Sequence, residues 1–386
     1  MDPYFTHDLI IHFIFFQGIL LLVVLSNLYL LRKARRGKAT PETPFVSILV
    51  PARNEEANIA RLVRSLLAQD YPDFEILALD DNSSDETGRI LREIAETNPK
   101  LTVLNGAPEN GSLTGKNWAC AQLASQAAGE LLFFTDADTF HQPNALRELV
   151  ACMQRENADF VTGFPKQELG SPGERLLVPF FSWAMLNFIA LWLAYRLRWK
   201  ALAVGIGQAM LFRREAYEQI GGHAGLGGEI VDDRALAQKI IAAGLRWRAV
   251  HLSDLISCRM YANGKAALEG FTKNYFAVFD FAVLPYIFVY LYLLLLAWLP
   301  IIVLCAKALG AAPNASYAYL ALCIGLSVLL WLLPFLEVRI PASLALLYPL
   351  LSAASVLTAF RSMVISLSGR LSWKGRPLAK QRWKWF

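Results

Sequence analysis

The amino-acid sequence predicts an α/β protein: a doubly wound, mainly parallel sheet flanked on its N- and C-terminal sides by apolar helices of membrane-spanning length. Three observations predict it. Strand-like and helix-like segments alternate four times between residues 45 and 139, at spacings suited to right-handed parallel crossovers. Residues 9–31 form one long apolar run, and three more runs, roughly 281–308, 317–336 and 341–366, close the chain. Hydrophobic residues make up 55% of the sequence and charged residues 18%. A soluble domain of ordinary composition carries more charge, so part of the chain is expected to face lipid.

The elements follow in order. Residues 9–31 reach across a bilayer at about 1.5 Å per residue. The acidic start, the length of the run and the lack of a small-residue cleavage site favour an uncleaved anchor over a signal peptide. Residues 1–44 are therefore assigned to an anchor and a basic, Pro-containing linker. FVSILV (45–50) reads as a buried strand stopped by Pro51, and 55–69 has helical spacing. FEILALDD (74–81) is the second strand, and the helix of 84–97 opens with a capping signature. LTVLNG (101–106), a helix over 113–128 and a strand with its turn over 130–139 complete the alternation. The apolar segment 175–198 is expected to lie on the membrane surface or under the folded domain, because a crossing there would put Asp138 and Asp233 on opposite sides. The folded domain is bounded at 45–278, the apolar region at 279–368 and a basic tail at 369–386. Arg361, inside the last apolar run, is expected to face protein or to end that run early, and one of the three runs is expected to be re-entrant or interfacial.

Net charge is +5, and the excess is local to RKARRGK (32–38) and the closing RLSWKGRPLAKQRWKWF (370–386). Basic clusters beside apolar spans mark the cytoplasmic side and favour anionic headgroups. No nucleic-acid module accompanies the charge, so no nucleic-acid partner is expected. The five cysteines include no CxxC pair, which argues against a disulfide framework or a zinc site. Asn314-Ala315-Ser316 fits a glycosylation sequon, a tripeptide frequent by chance.

The chemistry-bearing residues sit where strands end. Asp136-Ala137-Asp138 places two carboxylates in a turn after LLFF, a pattern that suits a hard cation sharing its shell with phosphate and water. Asp80 and Asp81 end the second strand and suit hydrogen bonds to a nucleoside. The plainer alternative is helix capping, which fits Ser84 and Asp85 best. Pro51, Arg53 and Glu55 join the first strand to the first helix, where backbone amides and a guanidinium suit an anionic ligand or serve only as a turn. Lys116 opens the third helix within reach of a phosphate, outside any Walker spacing. Asp232 and Asp233 open a later helix, where Asp233 is a general base or an N-cap. Gly207 and Gln208 lie in a glycine-containing loop that lets backbone approach a ligand. His141, His223 and His251 receive no role.

As a set, the order PARNEE (51–56), DDNSSD (80–85), GKN (115–117), DAD (136–138), FRREAY (212–217) and VDD (231–233) resembles the family 2 glycosyltransferases of GT-A fold over about residues 45–260. CRMYANGKAALEGFTKNYF (258–276) and LSWKGRPL (371–378) resemble a membrane-bound subgroup that includes carotenoid (4,4'-diaponeurosporenoate type) and hopanoid-associated glycosyltransferases. The resemblance implies a nucleotide-sugar donor, Asp80 or Asp81 on the nucleoside, Asp138 on Mg²⁺ or Mn²⁺, Asp136 on ribose or metal, and Asp233 as base. It also implies a lipid acceptor and a multi-pass protein of the inner membrane with its catalytic domain in the cytoplasm. Asp232 replaces the Glu of the family's Glu-Asp pair. Arg259-Met260-Tyr261 stands near the place of the Gln-x-x-Arg-Trp box of processive members, which favours single transfer and leaves Arg259 near diphosphate or acceptor. Trp373-Lys374-Gly375-Arg376 receives no role. A non-catalytic membrane scaffold is the alternative from another class, and a hopanoid, diacylglycerol or polyprenyl phosphate are the alternative acceptors.

Overall fold

The structure, a computed structural model, describes residues 3–35, 42–108, 113, 115–311, 316–373, 376–377 and 382–386. Linker positions 36–41, Asn314 and Ala315 of the sequon, and Lys374 and Gly375 of the tail motif lie outside the described residues. The chain forms two compact units. One comprises Tyr29–Glu168 and Leu191–Met260; the other comprises Met1–Leu28, Leu169–Ala190 and Tyr261–Phe386.

In chain order the elements begin α1 (Pro3–Lys33), β1 (Val46–Ala52), α2 (Ile59–Leu67), β2 (Phe74–Asp80), α3 (Thr87–Ala95), β3 (Leu101–Asn105), α4 (Gly115–Gln126) and β4 (Leu131–Phe134). They continue β5 (Thr139–His141), α5 (Ala145–Arg155), β6 (Phe160–Phe164), β7 (Lys166–Gln167), α6 (Pro172–Phe188), α7 (Leu191–Leu197), β8 (Met210–Arg213) and α8 (Arg214–Gln219). Then come α9 (Asp232–Ala242), β9 (Trp247–His251), β10 (Ile256–Cys258), α10 (Gly264–Asn274), α11 (Val283–Ala308), α12 (Tyr317–Glu337) and α13 (Tyr348–Leu367).

The first unit is built on a mixed, mostly parallel sheet of seven strands in the order β3-β2-β1-β4-β8-β6-β9. β1 is parallel to both β2 and β4, and β2 to β3. β8 runs antiparallel to β4 and β6, while β6 and β9 are parallel. The apolar runs of β1 and β4 are buried almost throughout, as strands covered on both faces must be. β1 continues past Val50, where the sequence suggests it stops. Pro51 pairs with Leu79 on the β2 side, while pairing to β4 ends at Leu49, so the missing N–H of Pro51 interrupts no second ladder. α2 turns Ile59, Leu62, Val63 and Leu66 into the core, the spacing of one helical face, and Leu146, Leu149, Val150 and Met153 of α5 join the same cluster. Truncating one of these, Leu62→Ala for instance, costs about 2–5 kcal/mol. A small second sheet, β5-β10-β7, holds the turn that follows β4.

In the second unit, the apolar stretch 175–198 is not one helix. α6 begins with a capping box at Ser171 and Glu174 and ends at Ile189, whose backbone is extended. Asn27 Nδ2 donates to Leu186 O and Ile189 O at 2.8 and 2.7 Å, answering carbonyls that the break leaves without helical partners. Among the described residues four helices are long and apolar enough to cross a membrane: Thr6–Lys33, Val283–Ala308, Tyr317–Glu337 and Ala342–Leu367. The number is five if the broken pair α6 and α7 counts as one. These helices support a multi-pass membrane protein. Arg361 stays exposed, and its Nε donates to Thr272 Oγ1 on α10 at 3.2 Å. All five cysteines are free.

Candidate active site

The first unit gathers its polar residues where β1, β2 and β4 end. The loops after β1 and β2 are laced together. Asn54, with φ 52°, donates its N–H to Ser83 Oγ at 3.0 Å and receives Ser84 N–H on Oδ1 at 2.9 Å. Glu55 N–H donates to Thr87 Oγ1 at 2.8 Å, and Glu56 N–H to Asp85 Oδ2 at 3.1 Å. This lacing fixes Arg53 and Asp81 face to face. The Arg53 guanidinium donates to Asp81 O at 2.9 Å and lies 3.7 Å from Asp81 Oδ2. Asp80 behaves differently: its Oδ1 accepts from Ser83 N–H at 3.0 Å, and its other oxygen packs over Gly88 at the start of α3. Asp80 closes the loop, whereas Asp81 is held against a cation.

The second cluster forms around Lys116. Its Nζ lies 2.8 Å from Asp136 Oδ1 and 3.5 Å from Asp232 Oδ2. Burial alone would lower the Lys116 pKa; Asp136 and Asp232 overcome that and hold it well above its usual value. Gly207 sits at the centre of this cluster. A Cβ added there would stand 3.2 Å from Asp136 Oδ2, 3.4 Å from Lys116 Nζ and 3.7 Å from Asp233 Oδ2. Gly207 N–H donates to Asp233 Oδ2 at 3.1 Å, while Asp233 Oδ1 accepts from Arg234 N–H at 2.7 Å. Gly205 permits the approach, because a Cβ there would lie 2.0 Å from Asp233 O. Burial, with Asp232 beside it, pushes the Asp233 carboxyl up to about 6.

Asp138 is gripped from β10. Arg259 N–H donates to Asp138 O at 3.2 Å, and the Cys258 thiol lies 3.5 Å from Asp138 Oδ1. Burial pushes the Cys258 thiol well above its usual value, and Asp138 adds to this, so the thiol donates. Burial, then Asp136 and Glu55, push the Asp138 carboxyl up to about 7. The side chain of Arg259 is exposed.

Sequence reasoning assigned no part to His141, Thr135 or Cys258. Thr135 Oγ1 donates to Gln208 O at 2.9 Å and Thr139 Oγ1 to Asp136 O at 2.8 Å. Both hydroxyl protons are thereby used, so His141 Nε2–H is the donor to the two oxygens, each 3.0 Å away. Burial holds His141 neutral by pushing its pKa down to about 3. The triad braces the 136–138 turn and ties it to the Gly207 loop. His223 is buried under Phe134, with ring centroids 4.7 Å apart, and its Nδ1 shares a hydrogen bond with the Tyr217 hydroxyl at 2.8 Å. The signal available was Thr-x-x-x-Thr-x-His around the acidic turn, visible only once β5 is seen to fold back.

Among the described residues no group of three or more His, Cys, Asp or Glu side chains is arranged to hold a metal ion. Mg²⁺ or Mn²⁺ bound through a substrate diphosphate needs only one or two carboxylates, with phosphate and water for the rest. Asp138 and Asp136 fit that requirement, since their mutual repulsion in a buried site is what a cation relieves.

Residues 47–221 match the profile described as glycosyl transferase family 2. Beta-monoglucosyldiacylglycerol synthase of Trichormus variabilis is 42% identical over 120 residues, covering 31% of this chain and 25% of that protein. The 4,4'-diaponeurosporenoate glycosyltransferase of Staphylococcus haemolyticus is 27% identical over 247 residues, 63% of each chain. The chain thus spans between a quarter and just under two thirds of the length of these relatives. Mannosyltransferase PcManGT from Pyrobaculum calidifontis superposes with a TM-score of 0.47 at 18% identity, over 92% of this chain and 87% of that one. The similarity to glycosyl transferase family 2 thus covers residues 47–221, just under half of the chain.

Proposed function

We propose that this chain transfers a hexose from a nucleotide sugar, with UDP-glucose as the donor, to a hydroxyl or carboxyl of an apolar membrane lipid of carotenoid type. The observation that carries the reading is the cluster in which Lys116 lies between Asp136 and Asp232 while Gly207 brings Asp233 alongside. The acceptor class rests on the two relatives, whose names describe transfer to a diacylglycerol lipid and to a carotenoid acid. In this reading the sheet is the doubly wound sheet of the GT-A fold, and the donor lies off the carboxyl ends of β1, β2 and β4. Residues 45–278 form the catalytic domain on the cytoplasmic face of the inner membrane. Residues 1–44 and 279–368 anchor it, and the basic tail 369–386 lies on the same side.

Arg53 and Asp81 hold the nucleoside, with Pro51 and Glu55 shaping the loop around it. Asp233, its carboxylate fixed by the Gly207 and Arg234 amides, takes the proton from the acceptor oxygen. The acceptor oxygen bonds to the anomeric carbon as the bond to the diphosphate oxygen breaks, inverting the configuration and releasing the nucleoside diphosphate. Lys116 and Arg259 offer positive charge to the departing group, and Gln208 and Asp232 border the sugar. Mg²⁺ or Mn²⁺ held by Asp138, with Asp136 beside it, supplies further positive charge to that leaving group.

The test uses the full chain purified in detergent, labelled nucleotide sugars, and a panel of carotenoid acid, hopanoid, diacylglycerol and polyprenyl phosphate. Metal-dependent release of nucleoside diphosphate with a lipid-linked sugar, lost in folded Asp138→Ala and Asp233→Asn variants, supports the reading. Absence of both donor binding and lipid-dependent release refutes it and favours the scaffold alternative.

A further inference from the structure

The helices of the second unit enclose polar groups far from their ends. Gln17 lies one residue from the midpoint of α1, and Ser327 is the midpoint of α12. Gln17 Nε2 donates to Ser327 Oγ at 2.7 Å, and both residues are buried. Beside this pair is a small cavity with room for about one water-sized group. Its polar lining is Gln17, Trp183, Ser327, Tyr348 and Ser352. Gln17 Oε1 and Trp183 Nε1 are buried without a hydrogen-bond partner among the described residues, and the Tyr348 hydroxyl lies on the same cavity beside Ser327. Gln17 is 0% exposed, Trp183 3% and Tyr348 2%. In a helix bundle that spans a bilayer, an unmet polar group has no solvent to turn to. One chance orphan is unremarkable. Two at one cavity, an acceptor and a donor, with the Tyr348 hydroxyl beside them, describe a complementary set.

The set also states what it receives. It carries no formal charge, so it suits neither a cation nor a phosphate. An acceptor opposite an N–H donor matches a group that both gives and takes one hydrogen bond. We infer that Gln17, Trp183 and Tyr348 form a buried site for one hydroxyl group, that of a water or of the polar end of an apolar alcohol. The flat stack of Trp183 on Trp331, with centroids 4.6 Å apart and 12° between planes, fixes the indole so that its N–H is presented in one direction. The site includes no residue of the carboxylate cluster and does not depend on the proposed transfer reaction.

The sign of a stability change tests it. Trp183→Phe and Tyr348→Phe each delete one polar group from the detergent-purified full chain and leave an aromatic ring in place. If a hydroxyl is held there, each substitution lowers the thermal midpoint by roughly 3 °C, and the double variant loses less than the sum, because both act through one shared occupant. If the groups are simply unmet, removing them leaves the midpoint unchanged or raises it, and the inference is overturned; additive losses overturn it as well. Adding hexadecanol, with hexadecane as control, to delipidated protein separates the sources. Stabilisation of wild type by the alcohol alone, absent in the double variant, assigns a lipid hydroxyl. The coupled losses with no response to hexadecanol assign a water.

Discussion

Asp138→Asn should make the protein more stable at alkaline pH while abolishing its proposed activity. Burial and the neighbouring Asp136 and Glu55 push the Asp138 carboxyl from 3.8 up to about 7. The folded state therefore holds this proton more tightly than the unfolded chain does. Stability linked to Asp138 is fully present below about pH 4 and is lost as pH rises towards 7. At roughly 1.4 kcal/mol per unit, the full shift corresponds to about 4 kcal/mol. Partial exposure of Asp138 and relaxation of its neighbours reduce this to about 1–2 kcal/mol at pH 8. For a unit of this size that is a rise of about 5 °C in the unfolding midpoint. The assay is a thermal scan of chelator-treated wild type and variant at pH 5 and pH 8, at one fixed scan rate. The gap in favour of Asn should open between those pH values. Adding Mn²⁺ with a nucleoside diphosphate at pH 8 should then raise the wild-type midpoint and leave the variant nearly unmoved. A gap independent of pH, or a variant less stable than wild type at pH 8, would refute the account of a strained carboxylate.

Gly207→Ala should leave the midpoint within a few degrees of wild type but reduce turnover at least about 10-fold, because the new methyl enters the space between Asp136 and Lys116. Wild-type turnover would contradict that placement. Lys116→Met preserves the side-chain length and removes the counter-ion of Asp136 and Asp232; the KM for donor should rise about 10-fold, read by initial rates across donor concentration. With Mn²⁺ saturating, so that Asp138 is held ionised, wild-type kcat/KM should rise from pH 5 to 7 as Asp233 loses its proton near 6, whereas Asp233→Asn should fall by about 10² or more and show no such rise. A rise retained in the Asn variant would move the base to another group.

The parallel part of the sheet was legible because β1, β2 and β4 are short apolar runs that each end in a polar turn, so strand ends and chemistry coincide in the sequence. β8 and the small sheet were less legible. Met210–Arg213 has no alternation to announce a strand, and three-residue β5 and β10 exist through pairing with each other. Within the site, Lys116, Asp136 and Asp233 carry their own chemistry and stand out in one dimension. What pairs with what is decided by distant residues: Lys116 reaches Asp232 across 116 positions, and Cys258 reaches Asp138 across 120. The difference between Asp80 and Asp81 is likewise invisible in sequence, since it depends on Gly88 making room for one and Arg53 facing the other. The break in α6 rests on Asn27, a residue 159 positions from the carbonyl it answers.

His141 and His223 have a bearing on how any pH profile is read. Burial holds their pKa values at about 3 and about 4, so neither ring gains a proton across the range in which cells live. The brace beneath the acidic turn is thus electrically silent. A candidate site whose imidazoles never titrate leaves Asp138, near 7, and Asp233, near 6, as the audible voices between pH 5 and 8, so a bell or a step recorded there points to carboxylate oxygens.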